Sequence, residues 1–181
     1  MSRPYEKLEK CYEYYRSVTD FAPVTGLILG SGLGGYARNM RVIKEIPYGD
    51  IPGFPVSTVQ GHEGKFLLGY IGDVPAVVMK GRVHYYEGYP MEEVVLPVRL
   101  MKRMGIRTLF VTNASGGMNR QFQVGDFMLI TDQISSFVPS PLIGENVSEL
   151  GERFPDMTHI YDPELADVIR KTAEQEKIPL K

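Results

Sequence analysis

The sequence predicts an α/β protein, a three-layer sandwich around a central mixed sheet, on three observations. Stretches with helical apolar spacing alternate with short β-branched runs, the pattern of helices laid over a sheet. Phe66–Ile71 and Val74–Met79 are joined by Gly72-Asp73, a hairpin signal that makes the sheet mixed. Thr108–Thr112 and Phe127–Thr131 are apolar and β-branched, as strands covered on both faces are. At 181 residues, 43% hydrophobic and 23% charged, the chain has the size and composition of a single globular domain, 1–181.

The elements follow in order. Ser2 and Pro4 open a first helix, with Leu8, Cys11, Tyr12 and Tyr15 on one face. A strand over Val24–Leu29 runs into the glycine-rich turn Gly30-Ser31-Gly32-Leu33-Gly34-Gly35 and a short helix. Val42–Ile46 reads as a further strand ahead of the hairpin. Pro90 starts a second helix, in which Val94, Val98 and Met101 form the stripe, Pro97 introduces a bend and Gly105 ends the run. Asp162-Pro163 caps a last helix whose inner side is Leu165, Val168, Ile169 and Thr172. Pro47–Gly64 and Ser135–Tyr161 lack periodicity, and irregular segments this long are commonly functional or interfacial. Phe137, Leu142, Phe154 and Tyr161 make the second of these more apolar than a solvated loop requires.

Charge and cysteine usage exclude several classes. A net charge of −2 without Lys/Arg runs gives no nucleic-acid surface. The start carries no apolar signal core, and no stretch has the length of a membrane span. Cys11 is the only cysteine, so no internal disulfide forms; the expectation is a cytoplasmic protein with no membrane partner.

Three segments carry the chemistry, each at the exit of an apolar run. The glycine turn presents backbone N–H groups to an anion. Through Gly30, Gly32 and Gly35 it also fits a dinucleotide fingerprint, with Glu45 as the ribose-binding acid. Gly81-Arg82-Val83-His84-Tyr85-Tyr86-Glu87-Gly88 brings a guanidinium fork suited to phosphate, a histidine on the same side of an extended chain, an aromatic suited to a sugar face, and a carboxylate. Thr112-Asn113-Ala114-Ser115-Gly116-Gly117 offers small residues over which a backbone approaches a ligand. Gly61-His62 adds a histidine in a glycine-flanked loop, and His62, His84 and His159 show no metal-ligand spacing.

These motifs, in this order and spacing, resemble the trimeric-type purine nucleoside phosphorylases. Val124-Gly125-Asp126-Phe127-Met128-Leu129-Ile130 and Arg153-Phe154-Pro155 extend the likeness over nearly the whole chain. The resemblance implies a phosphorylase-like fold and reversible phosphorolysis of purine (deoxy)ribonucleosides to free base and (deoxy)ribose 1-phosphate. It implies no cofactor and no metal, orthophosphate being a co-substrate, and a homotrimer. By the same resemblance Ser31, His62, Arg82, His84 and the Ala114 N–H bind phosphate, with His84 and Glu87 as the catalytic pair. Tyr86 contacts the ribose, and Phe154 enters the neighbouring subunit's sugar site. Family chains continue with a strand where this one reads Lys177-Ile178-Pro179-Leu180-Lys181. The expectation is therefore a C-terminally truncated phosphorylase, with an inactive fragment that keeps phosphate binding or subunit association as the alternative.

Overall fold

The computed structural model describes residues 3–57 and 63–181. It divides into two compact units, Met1–Ala114 with Ser140–Leu150, and Ser115–Pro139 with Gly151–Lys181.

The first unit holds helix α1 (Arg3–Val18), strands β1 (Thr25–Leu29), β2 (Arg41–Pro47), β3 (Lys65–Ile71) and β4 (Val74–Lys80), helix α2 (Met91–Met104) and strand β5 (Thr108–Val111). The sheet order is β2-β3-β4-β1-β5. β1 pairs in parallel with β4 and β5, while β2/β3 and β3/β4 are antiparallel, which gives the expected mixed α/β sheet with flanking helices. The hairpin closes Ile71 on Val74. Gly72 has φ +58° and Asp73 does not share the sign, the signature of a II′ turn that matches strand twist.

One face of the sheet builds the larger core. Leu8, Cys11 and Tyr15 of α1 and Leu96, Leu100, Met101 and Met104 of α2 meet Ile28, Phe66, Leu68, Val77 and Met79. Tyr48, Ile51 and Phe54 join it, so the irregular stretch after β2 is partly core. The alternate residues Leu27, Leu29, Leu67, Ala76 and Val78 face the other way, against Ala37 and Met40 of a 3-10 segment, Gly34–Asn39, and its end. α1 is further held to α2 by Arg103, which bonds Glu9 at 2.8 and 3.1 Å and lies 4.0 Å over the Tyr12 ring.

The stripe of α2 is rotated from expectation. Val98 is exposed and Val94 half-buried, whereas Leu96, Pro97, Leu100, Met101 and Met104 face inward. Both rows have helical spacing, and the longer side chains take the core. The helix runs through Pro97 and ends at Gly105 as expected.

The second unit holds helix α3 (Pro163–Gln175), whose Asp162 side chain accepts from the Glu164 and Leu165 N–H groups as its cap. Its inward residues are Ala166 and Ala173, with Ile169 half-buried; Leu165, Val168 and Thr172 are exposed, contrary to expectation. Alanines admit a closer approach than the branched row. The expected strand over Phe127–Thr131 is also absent. Only an isolated parallel bridge, Phe127 to Leu180, closes, with Lys181 N donating to Phe127 O at 2.8 Å and Leu129 N to Lys181 O at 2.9 Å. Apolar β-branched residues extend as a strand only where a neighbouring backbone continues the ladder, and among the described residues the pairing is confined to this one bridge. Among the described residues no helix is long and apolar enough to cross a membrane.

Candidate active site

The three parallel strands β4, β1 and β5 end side by side, and at such strand ends an open α/β sheet forms its binding crevice. Register makes the coincidence specific. Leu29 pairs with Lys80, and Ile28 with Val111, so the row beyond is Leu29, Lys80 and Thr112. Ser31, Arg82 and Ala114 each lie two positions past that row. Three candidates from three separate motifs thus leave the sheet in step.

The β1 exit is shaped by sterics as much as by any ligand. A Cβ on Gly30 would sit 2.6 Å from the Thr112 carbonyl oxygen and 2.6 Å from the Asn113 Cα, closer than any side chain tolerates. Gly32 needs its glycine for φ +82°. Ser31 between them is exposed. A Cβ on Gly35 would meet only the Arg38 guanidinium, at an ordinary 3.6 Å. The dinucleotide reading fails on topology: Glu45 lies on β2, which β3 and β4 separate from β1, and it pairs with Lys65 at 2.8 Å. A dinucleotide fold puts that acid on the strand beside the glycine turn.

The β4 exit carries the densest network. Arg82 Nη1 donates to the Thr112 carbonyl at 2.9 Å, and its Nε–H faces His84 Nε2 at 3.4 Å. His84 caps a single 3-10 turn, Tyr85–Glu87, so Glu87 three residues on returns its carboxylate to the start. Glu87 Oε1 accepts from the His84 N–H at 2.7 Å and meets Nδ1 at 2.8 Å. The pair is shielded, with side chains 18% and 2% exposed. A carboxylate on Nδ1 fixes the tautomer and leaves Nε2 on the side of Arg82. Tyr86 stacks on His84 with ring centroids 4.7 Å apart and is 74% exposed, an aromatic face open to solvent.

Three supports lay outside the sequence-derived candidates. Thr112 ties β5 to the exits of β1 and β4, and Ser57 Oγ donates to Glu87 Oε2 at 3.2 Å. Tyr48 Oη donates to the Gly81 carbonyl at 2.8 Å, with burial pushing its phenol strongly up. Thr112 opens a motif already singled out, so its hydroxyl was a signal. Ser57 and Tyr48 lie in an aperiodic stretch with no local mark. Nearby, Glu63 binds Lys80 at 2.5 Å and Lys65 at 3.0 Å, and those ammonium groups hold its carboxyl below the usual range.

The remaining candidates fall elsewhere. His62 lies outside the described residues. Phe154 belongs to the second unit, 85% exposed, with the Arg153 guanidinium 5.7 Å from its ring centroid.

Comparison with known proteins gives the family. Residues 25–181 match the family model described as the Phosphorylase superfamily. The chain is 45% identical to purine nucleoside phosphorylase 1 of Bacillus subtilis over 97% of its length and 65% of that protein's. It is 46% identical to the Geobacillus stearothermophilus protein of the same name, over 92% of this chain and 61% of that one. Among solved structures, Schistosoma mansoni purine nucleoside phosphorylase with acetate superposes at TM-score 0.89, with 36% identity, over 97% of this chain and 67% of that one. Its isoform 2, solved with cytosine and ribose-1-phosphate, gives 0.87 with 39% identity, over 97% and 64%. The chain thus spans about two thirds of the length of its relatives. It belongs to the Phosphorylase superfamily and, within it, to the purine nucleoside phosphorylase family.

Proposed function

We propose that the strand-end cluster is the phosphate and sugar half of a purine nucleoside phosphorylase site, in a cytoplasmic homotrimer that interconverts purine (deoxy)ribonucleosides and orthophosphate with free base and (deoxy)ribose 1-phosphate. The observation that carries this is the common step of Ser31, Arg82 and Ala114 past one register row, with His84 and Glu87 beside them. A hydroxyl, a guanidinium and a backbone N–H converging from three rigid strand ends suit a tetrahedral anion.

The chemistry is positional. A phosphate oxygen attacks C1′ while the glycosidic C–N bond breaks; its electron pair leaves with the purine, which takes a proton from water. Positive charge grows on the sugar as the bond lengthens, and a dianion fixed on the opposite face stabilises it and then bonds to it. Arg82 and Ser31 hold that anion. His84, its Nδ1 held by Glu87, lies against Arg82 at the edge of that anion's place, and His62 joins the same set. Tyr86 lies along the ribose, and the exposed Phe154 serves the sugar site of a neighbouring subunit. No further cofactor is required, since the nucleophile is itself the co-substrate.

The test is release of hypoxanthine from inosine by the full chain, with and without orthophosphate. Phosphate-dependent release is expected; release indifferent to phosphate overturns the reading. A second reading, phosphate binding or subunit association without turnover, has one observation on its side: the chain spans 65% of its Bacillus relative. Calorimetric phosphate binding with no hypoxanthine release selects it.

A further inference from the structure

We propose that Thr112 is a positioning residue that assembles the anion cradle before any anion binds; the inference rests on the phosphate-site reading above. Every polar atom of this residue is engaged across strands. Its N–H donates to the Ile28 carbonyl at 3.0 Å, and its hydroxyl donates to the same carbonyl at 2.9 Å. The hydroxyl oxygen also accepts from the Gly30 N–H at 2.9 Å, and the Thr112 carbonyl accepts from Arg82 Nη1 at 2.9 Å. One residue therefore joins the exits of β1, β4 and β5.

Two consequences follow for anion binding. The Gly30 amide, the first of the glycine turn, is committed to Thr112, so the donors of the turn begin at Ser31. The close packing of Gly30 against Thr112 and Asn113 is the steric face of the same contact. Arg82, in turn, is oriented by a neutral carbonyl. Such a partner removes rotamer freedom from a long side chain without itself neutralising the guanidinium, as a carboxylate would. The threonine methyl restricts χ1, which keeps the hydroxyl between the Gly30 N–H and the Ile28 carbonyl.

The experiment titrates the full chain with inorganic phosphate by calorimetry and follows its backbone amides by NMR. Thr112→Val keeps the shape and deletes both hydroxyl bonds; it is expected to weaken phosphate roughly 10–30-fold, because the turn must then be ordered by the anion itself. Thr112→Ser restores the hydroxyl and should bind within about threefold of the parent, a rescue that a purely structural role does not give. Affinities are compared at a temperature where melting curves show each variant folded. Thr112→Val binding within twofold of the parent overturns the proposal. If that variant does not fold, the unmodified chain decides: on phosphate saturation the Ser31 amide shifts and the Gly30 amide stays, whereas a Gly30 shift as large as Ser31's overturns it. A parent chain that binds no phosphate overturns the phosphate-site reading, and this inference with it, and is told apart by the flat parent titration.

Discussion

The two compact units differ in where their large apolar side chains go. In the first, Tyr15, Tyr48, Phe66, Leu68, Met79, Leu100 and Met101 are fully buried between the sheet and its helices. In the second, the buried residues of α3 are two alanines, while Ile134, Phe137 and Phe154 stand 95%, 98% and 85% exposed. Single exposed apolar residues are ordinary, but this many along one unit form the kind of surface that proteins cover with a partner. The first unit therefore carries stability in its own contacts, and with it the strand exits that hold Ser31, Arg82, His84 and Ala114. The second carries surface, and Phe154 is part of it.

The largest effect that tests the contrast is on folding. Phe66 is fully buried, with Tyr48 and Phe54 rings at 4.9 and 5.6 Å. Phe66→Ala should cost about 3–5 kcal/mol by denaturant titration. Phe137→Ala, of identical chemistry, should stay within about 0.5 kcal/mol. A comparable loss at Phe137 would break the comparison.

The next effect is on the ligand. Arg82→Ala should weaken phosphate roughly 10–100-fold, the loss of a charge-assisted donor pair, with little change in melting temperature. Phe154→Ala should leave phosphate affinity within about twofold and raise the nucleoside KM only where the chain self-associates. Calorimetry with phosphate and sedimentation alongside the kinetics check both. An unchanged phosphate dependence in Arg82→Ala removes the basis for the proposed function.

What was legible in the sequence was local. The Gly72-Asp73 turn, the Gly105 helix end and the Asp162-Pro163 cap are each written in one or two adjacent residues, and each forms as read. Arg82, His84 and Glu87 were legible because they crowd one segment, while the capping box that joins His84 to Glu87 shows only in the fold. Ser57 was not, and Thr112 only as the start of a motif, because what each one holds lies more than 25 positions away in sequence. The inward faces of α2 and α3 were missed for a different reason. Leu165/Val168/Thr172 and Ala166/Ala173 both recur at helical spacing, and only packing chooses between them.

A pH dependence sharpens the stability side of the comparison, because its groups sit in the first unit's core. Burial pushes the Cys11 thiol up to about 11 and the Tyr15 phenol up to about 12, from 9.0 and 10.0. As pH rises past the lower values the unfolded chain loses these protons while the folded chain keeps them, so stability falls through that window. The decline stops only once the folded groups ionise as well, and the lost stability is not recovered. The expected decline from Cys11 between pH 9 and 11 is on the order of 2 kcal/mol by denaturant titration across pH. Cys11→Ala lowers the whole curve by its cavity but flattens this part of it; an unaltered slope assigns the decline elsewhere.

The smallest expected effect probes the second unit directly. Val168 is 57% exposed on the outer side of α3, three residues from the 41% exposed Leu165. Lysine favours helix over valine by a few tenths of a kcal/mol, and nothing apolar is lost where nothing is covered. Val168→Lys should therefore leave the stability of the isolated chain within about 0.5 kcal/mol, on the favourable side. A loss above about 1 kcal/mol, or a loss that grows with protein concentration, would mean that this face is covered in solution. Its apolar residues would then belong to a buried surface, as those of the first unit do, and the contrast between the units would be a property of the single chain alone.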